Sequence, residues 1–239
     1  MKTMNYFIFL VLMLLVWSCG SESGTNENKS YTVIDSHRMV EDSGYYNIDF
    51  EFPVFVGNDG ENPLDKLNSA ISGLLDTAAI YYWGIPLDSV RATIEDSEAS
   101  GSYVLNNKYT VLDTSAHRIS IMMETYSYAL GAHGFTALHT YNFDVEHNKM
   151  LAIDDILDLS GEENIATLNA LLADNFENPE DCFTRPPTAD ADFQLFGLSL
   201  EYLVFYYEAY ELGAYSCGIA RVNVPIQRLI AAGLWKGKD

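Results

Sequence analysis

The chain has 239 residues, and its 34 acidic and 13 basic side chains give a formal net charge of -21. Apolar residues make up 48% of the chain and aromatic residues 13%, which is enough to bury a core and excludes an acidic disordered tail. The negative charge excludes nucleic acid as a partner, because phosphate binding requires a basic surface.

The first 18 residues have the pattern of a signal peptide. Lys2 supplies the positive end, Phe7–Val16 is an unbroken apolar run, and Ser18 is the small residue before the cleavage point. This run is shorter than the roughly 20 apolar residues that span a bilayer. The four residues that end at Cys19 resemble a lipobox, so we expect acylated Cys19 to be the mature N-terminus. The alternative is an ordinary signal peptide followed by an incidental cysteine.

Residues 19–30 are expected to form the lipid anchor and a flexible tether. After the cysteine, residues 20–30 contain no apolar side chain. Removal of residues 1–18 takes away Lys2 and no acid, so the mature chain has 12 basic and 34 acidic residues, or a charge of -22. We expect an exported protein whose lipid holds it in the cell envelope, at the outer membrane facing the periplasm or at the cell surface.

The first half of the remaining chain alternates strands with a helix. Asn47–Phe52 alternates apolar and polar residues, as a half-buried strand does, and Pro53 then breaks the ladder or marks an edge. Asn62 and the proline after it begin a helix that runs to about Tyr82. Further strands are predicted at Tyr103–Leu112, Arg118–Tyr128 and Phe135–Val145.

The second half begins with a predicted amphipathic helix that ends near Phe176. Ser160 and Glu163 form its capping box. A loop at Asn178–Ala191 follows, and a short last helix is bracketed by Pro225 and Gly233. Strands are predicted at Phe193–Leu195, Leu200–Tyr207 and Ile219–Val224. This order of elements predicts an α+β fold, a mostly antiparallel sheet with helices packed on one side, in two small intimately packed subdomains.

Two segments carry a resemblance to a known family. Tyr126–Gly134, which ends in Gly-Ala-His-Gly, and Leu203–Gly213 resemble proteins in which a DUF4163-type domain precedes a DUF3298-type domain. The resemblance covers about residues 31–235 and implies a DUF4163-like domain at 31–130 and a DUF3298-like domain at 131–239. The family includes the lysozyme-sensing extracytoplasmic part of an anti-sigma factor and the non-catalytic domain beside a peptidoglycan deacetylase. An anti-sigma role is not expected, because the chain begins with an export signal.

The resemblance and the charge together imply a binding module without catalysis. Its partners would be the membrane, through the N-terminal lipid, and a basic protein such as lysozyme or a cell-wall component such as peptidoglycan. The common hydrolase, zincin, nucleotide and redox motifs are absent, so we expect no catalytic residue, metal or cofactor. The alternative is an enzyme acting on peptidoglycan or another glycan, with His133 and nearby carboxylates in acid-base roles.

Four side chains are candidates for ligand binding. His133 lies between glycines in a turn, where it could be a ligand, a general base or a staple that holds the loop, and stapling is favoured. Alternation sends Phe205 and Tyr207 inward and leaves Tyr206, Tyr210 and Tyr215 exposed. The ligand-binding candidates are therefore His133, Tyr206, Tyr210 and Tyr215.

Two further residue pairs bear on the site. His139 falls on the apolar face of its strand and is predicted to be a core histidine, about 20 Å from His133 in an extended chain, so a shared metal would need a sharp bend between them. Cys182 and Cys217 remain once Cys19 is acylated, and an oxidising periplasm favours a disulfide between them.

Overall fold

The computed structural model describes residues 31–42, 45–58, 64–83 and 101–237 and the single positions 89, 92 and 95. The predicted signal peptide, Cys19, the tether, Asn62 and Pro63 lie outside the described residues. Within those ranges, no helix combines the length and the apolarity that crossing a membrane requires.

The larger sheet has six strands in the order β1-β2-β3-β4-β5-β6. Neighbouring strands are antiparallel except β2 and β3, which are parallel. The sequence pattern did not predict the first strand. The strands are β1 (Tyr31–Asp42), β2 (Tyr46–Gly57), β3 (Tyr103–Thr114), β4 (Arg118–Tyr128), β5 (Phe135–Asp144) and β6 (Lys149–Met150).

Helix α1 (Asp65–Trp83) lies in the connection between the two parallel strands, because parallel strands need a long crossover. The helix and the residue before it bury one apolar face against the six-stranded sheet. The side chains of this contact are Leu64, Leu67, Ile71 and Leu75 from the helical segment and Ile119, Ile121, Met123 and Phe143 from the sheet.

Pro53 marks a local edge and does not interrupt its strand. Pairing of β2 with β3 ends at Phe50, so Pro53 lies where β2 has lost its neighbour on that side, and β2 continues to Gly57. Past Pro53, the Asn68 side chain of α1 forms hydrogen bonds with the backbone at this edge of β2. Its Nδ2 donates to the Phe55 carbonyl at 2.7 Å, and its Oδ1 accepts from the Phe55 amide at 2.9 Å.

The smaller sheet contains the antiparallel strands β7 (Phe196–Leu198), β8 (Tyr202–Tyr207) and β9 (Ala220–Pro225). One face packs on the larger sheet through Met122, Leu138, Val204 and Tyr206. The other face is covered by α2 (Ile153–Ile156), α3 (Glu162–Asn175) and α4 (Ile226–Ala231). The layers are α1, the six-stranded sheet, the three-stranded sheet and the remaining helices. Each sheet therefore has its helices on one face, which confirms the α+β prediction.

A buried polar network joins the two sheets. The Ser120 hydroxyl donates to Asn142 Oδ1 at 2.7 Å and accepts from the Leu198 amide at 2.9 Å. Asn142 Nδ2 donates to the Phe196 carbonyl at 2.8 Å. Both side chains are fully buried, so these hydrogen bonds fix how β7 lies on β4 and β5.

Two local predictions are wrong. Phe193–Leu195 is not a strand, because the Asp190 carbonyl accepts from the Phe193 amide and closes a turn there. The capping box is absent: Gly161, with φ 85°, is the N-cap of α3, and the Ser160 hydroxyl donates to Asp158 at 2.6 Å. The boundary between residues 130 and 131 stays a prediction, and β4 and β5 pair across it.

Candidate functional site

The strand directions give the molecule two distinct ends. We call one the tether end, because β1 begins there at Tyr31, whose hydroxyl donates to the Ser115 carbonyl at 2.7 Å. The Ser199 turn between β7 and β8 is at the same end, where its carbonyl accepts from Arg118 at 3.4 Å. The β4–β5 loop at 129–134 and the segment 208–219 after β8 lie at the opposite end, which we call the distal end.

Three aromatic side chains meet at the distal end, and Tyr126 lies over the adjacent Gly134; we call Tyr126, His133, Tyr210 and Tyr215 the aromatic cluster. The His133 ring stacks on Tyr215, with 4.0 Å between ring centroids and 24° between planes. Tyr210 lies 5.4 Å from Tyr215 and 6.4 Å from His133 between centroids. The structure therefore brings together three of the four predicted ligand-binding residues, although 77 positions separate His133 from Tyr210.

Both ring nitrogens of His133 have protein partners. Nδ1 is 2.8 Å from the Gly134 carbonyl oxygen, and Nε2 is 3.2 Å from the Tyr210 hydroxyl. A carbonyl can only accept, so Nδ1 donates to Gly134, and Nε2 shares a hydrogen bond with the Tyr210 hydroxyl. Neither partner is a carboxylate. These two contacts tie the ring to its own loop and to Tyr210, which is the arrangement of a staple.

Gly134 allows the rings to approach the loop backbone. A Cβ atom at this position would lie 2.3 Å from the Tyr126 ring, so any larger residue would displace that ring. The Gly134 carbonyl also accepts from the Tyr215 hydroxyl at 2.6 Å. In this loop Leu130, and not Gly134, has a positive φ, at 60°, so Gly134 is needed for close approach and not for backbone conformation.

The backbone that carries Tyr210 and Tyr215 is strained at Tyr210 and cross-linked by a disulfide close to Tyr215. Tyr210 has φ 78°, which a non-glycine residue adopts only when its surroundings impose it, and its carbonyl accepts from Arg185. Tyr215 begins a 3-10 turn that ends at Cys217, and Cys217 is disulfide-bonded to Cys182 with 5.7 Å between Cα atoms. The aromatic surface is therefore preorganised, which lowers the entropy lost on binding.

The tyrosines that the sequence predicts to face solvent differ in how exposed they are. Tyr210 is 51% exposed, whereas Tyr206 is 3% exposed, which contradicts the prediction that it faces solvent. Phe205 and Tyr207 are buried, as predicted. Tyr206 is buried because β8 is the central strand of its sheet and its second face packs on the larger sheet. Burial raises the pKa of its hydroxyl, so Tyr206 belongs to the core.

Most of the exposed charged side chains in the segments that hold the cluster are acidic. Glu180 and Asp181 precede the disulfide loop and Glu211 follows Tyr210, and all three are exposed, against one exposed base, Arg185. Tyrosine faces beside carboxylates attract cations, because both the ring quadrupole and the net charge favour them.

His139 is half-buried on β5, and burial holds its pKa below the ordinary 6.5, with nearby Glu208 acting in the opposite direction. His139 therefore binds a proton more readily in the unfolded chain than in the folded chain. We expect the free energy of unfolding to fall as the pH decreases below about 6.5. Urea unfolding from pH 5 to 8 measures this, and His139→Gln should give a smaller pH dependence. Equal pH dependence in the two proteins would contradict the assignment.

In the described part of the chain, no group of three or more His, Cys, Asp or Glu side chains is placed to hold a metal ion. Sequence reasoning missed Tyr126, because nothing in the pattern shows which ring covers Gly134. That the cluster binds a ligand remains a prediction.

No family model matches the chain. The chain is 21% identical over 193 residues to peptidoglycan-N-acetylmuramic acid deacetylase PdaC of Bacillus subtilis (strain 168), which matches 78% of this chain but only 39% of the deacetylase. A DUF3298 family crystal structure from Bacteroides fragilis aligns with a TM-score of 0.66 and 18% identity over 88% of this chain and 95% of that one. Another from Pseudomonas aeruginosa aligns at 0.53 and 19% over 86% and 94%. The chain therefore has the fold of solved members of the DUF3298 family.

Proposed function

We propose that the chain is a lipid-anchored binding module of the cell envelope, which holds its ligand at the aromatic cluster and catalyses no reaction. The arrangement of His133 carries this proposal. Both of its nitrogens are bonded within the protein and its ring is stacked on Tyr215, while half of Tyr210 stays open to solvent. A rigid, partly exposed aromatic surface suits contact with a ligand better than proton transfer.

The ligand we favour is a basic protein such as lysozyme, and a cell-wall component is the second candidate. The segments that hold the cluster expose Glu180, Asp181 and Glu211, and the mature chain has a net charge of -22 from 12 basic and 34 acidic residues. Arginine and lysine side chains would find both tyrosine faces and negative charge there. Such binding should weaken as salt is added, because screening shortens the reach of the charges.

The envelope location rests on the signal peptide pattern and on Cys19. The likeness to a protein named as a peptidoglycan deacetylase agrees with this location, although the chain spans 39% of that protein's length. The two ends of the molecule also suit an anchored receptor. The tether joins at Tyr31, and the cluster lies at the other end of β4, whose 11 residues extend about 35 Å.

The similarity to the deacetylase also supports a second candidate, an enzyme that acts on peptidoglycan through His133. One experiment separates the two functions. The mature chain with Cys19→Ser is incubated with lysozyme, with a muropeptide library and with envelope extract, and both retention and turnover are measured. We expect retention of a basic protein or a cell-wall fragment with no turnover. Turnover that His133→Ala abolishes without unfolding the protein would overturn the proposal in favour of the enzyme.

A further inference from the structure

A second surface lies at the tether end, away from the aromatic cluster. A groove of about 640 Å³ opens between the β7–β8 turn, the start of α4 and the segment near the C-terminus. Leu200 at its rim is 81% exposed, which is far more than a large apolar side chain usually shows, and Tyr202 beside it is 38% exposed. The groove is lined by the apolar and aromatic side chains Leu200, Tyr202, Pro225, Ile226 and Trp235 and by the polar side chains Arg118, Glu201 and Gln227.

The groove lies next to the point where the tether joins the folded part. Tyr31, the first described residue, bonds to the Ser115 carbonyl, and the Ser115 hydroxyl accepts from the Arg118 amide at 3.2 Å. Arg118 lines the groove and reaches the Ser199 carbonyl, one residue before Leu200. Tyr31 is the twelfth residue after Cys19, the predicted start of the mature chain, a span of about 40 Å when fully extended.

Because the chain between the anchor and Tyr31 can reach no further than that span, contact between the anchored bilayer and the groove would be an intramolecular event with a high effective concentration. A weak apolar contact is therefore sufficient to orient the molecule.

The groove lining carries two charged side chains, Arg118 and the exposed Glu201. The Arg118 guanidinium donates to the buried Asp113 carboxylate at 2.9 Å through Nε and at 2.5 Å through a terminal nitrogen, so these charges compensate each other. The chain as a whole is strongly acidic and would be repelled by anionic lipid. An apolar surface rimmed by Leu, Tyr and Trp is the kind that enters the headgroup region despite that repulsion.

We propose that this groove is a membrane-docking surface that places Leu200 and Trp235 in the headgroup region of the bilayer to which the lipid anchors the chain. The inference rests on the lipid anchor of the proposed function. Docking at the tether end turns the distal end away from the membrane and holds the aromatic cluster about 35 Å from it, the length of β4. The cluster then faces ligands in the periplasm or beyond the surface instead of lipid.

Tryptophan fluorescence tests the docking on the lipidated mature protein. Removal of residues 1–18 takes away Trp17, so Trp83→Phe leaves Trp235 as the single tryptophan. The protein is reconstituted into phosphatidylethanolamine–phosphatidylglycerol vesicles with or without brominated acyl chains, and its co-flotation with the vesicles is recorded first. We expect bromine to lower Trp235 emission about twofold, since interfacial side chains lie within reach of the acyl chains.

Leu200→Asp should remove this quenching while the protein still floats with the vesicles. Phe135→Asp is the matched control, because Phe135 is an exposed apolar side chain at the distal end, and it should leave the quenching unchanged. Co-flotation without quenching would overturn the docking proposal and leave the anchor standing. Failure of the protein to float would overturn the anchor, and the docking proposal with it.

Discussion

Replacing Asn142 by alanine is expected to lower the free energy of unfolding by about 2–4 kcal/mol. Asn142 is 2% exposed and connects the two sheets, accepting from the Ser120 hydroxyl and donating to the Phe196 carbonyl. The substitution leaves both groups buried without these partners, and water cannot reach them easily. The cost is therefore that of two unsatisfied buried polar groups together with a small cavity.

Thr140→Val is the matched control for this prediction. Thr140 is on the same strand, and its hydroxyl donates to the Gln194 carbonyl at 2.9 Å, but this hydrogen bond is exposed to solvent. Water can replace the lost partner, so we expect a change below about 1 kcal/mol. Urea unfolding of the three proteins measures both effects. Similar losses for Asn142→Ala and Thr140→Val would contradict the role given to the buried network.

Removing the disulfide with Cys182→Ser and Cys217→Ser together is expected to lower the free energy of unfolding by about 3–4 kcal/mol. The bond closes a sequence separation of 35 residues, and its main effect in the chain-entropy view is to restrict the unfolded chain. The bond also holds the 3-10 turn that begins at Tyr215, so the aromatic cluster should loosen when it is absent.

Denaturant unfolding of the oxidised protein, the reduced protein and the double variant measures this stabilisation. The reduced protein and the variant should agree with each other, since both lack the cross-link. Thiol counting on unfolded but unreduced mature protein is the direct check on the bond. Two reactive thiols in that sample, or a stability loss below about 1 kcal/mol, would contradict it.

The sequence predicted the strands whose pattern is local and missed those set by distant contacts. Arg118–Tyr128 was predicted with both ends correct, because a turn precedes it and its residue types favour strands. β1 was missed, since Asp35, His37 and Arg38 interrupt any apolar pattern and its conformation is fixed by pairing with β2 along 12 residues. Alternation placed Tyr206 on the face opposite Phe205 and Tyr207, but it cannot reveal that the larger sheet covers that face of β8, so the predicted exposure of Tyr206 was wrong.

The sequence predicted individual residues of the candidate site but not that they lie together in the folded chain. Composition and the glycine turn singled out His133, Tyr210 and Tyr215, but no spacing rule brings together residues 77 positions apart. Their contact depends on how the smaller sheet packs on the larger one, which the buried Asn142 network helps to fix. Tyr126 enters the cluster only because Gly134 lacks a side chain in the folded loop.

Binding through the aromatic cluster is tested most directly by the affinity of a matched pair of tyrosine variants. Tyr210 is exposed at the distal end, and Tyr202 is exposed at the tether end of the same molecule. Dissociation constants for lysozyme and for muropeptides are measured at low and high salt with the Cys19→Ser mature protein, Tyr210→Ala and Tyr202→Ala. We predict salt-dependent binding that Tyr210→Ala weakens about tenfold or more and Tyr202→Ala leaves unchanged. Equal affinity for Tyr210→Ala and the unsubstituted cluster, or no binding of either ligand at low salt, would contradict the proposal.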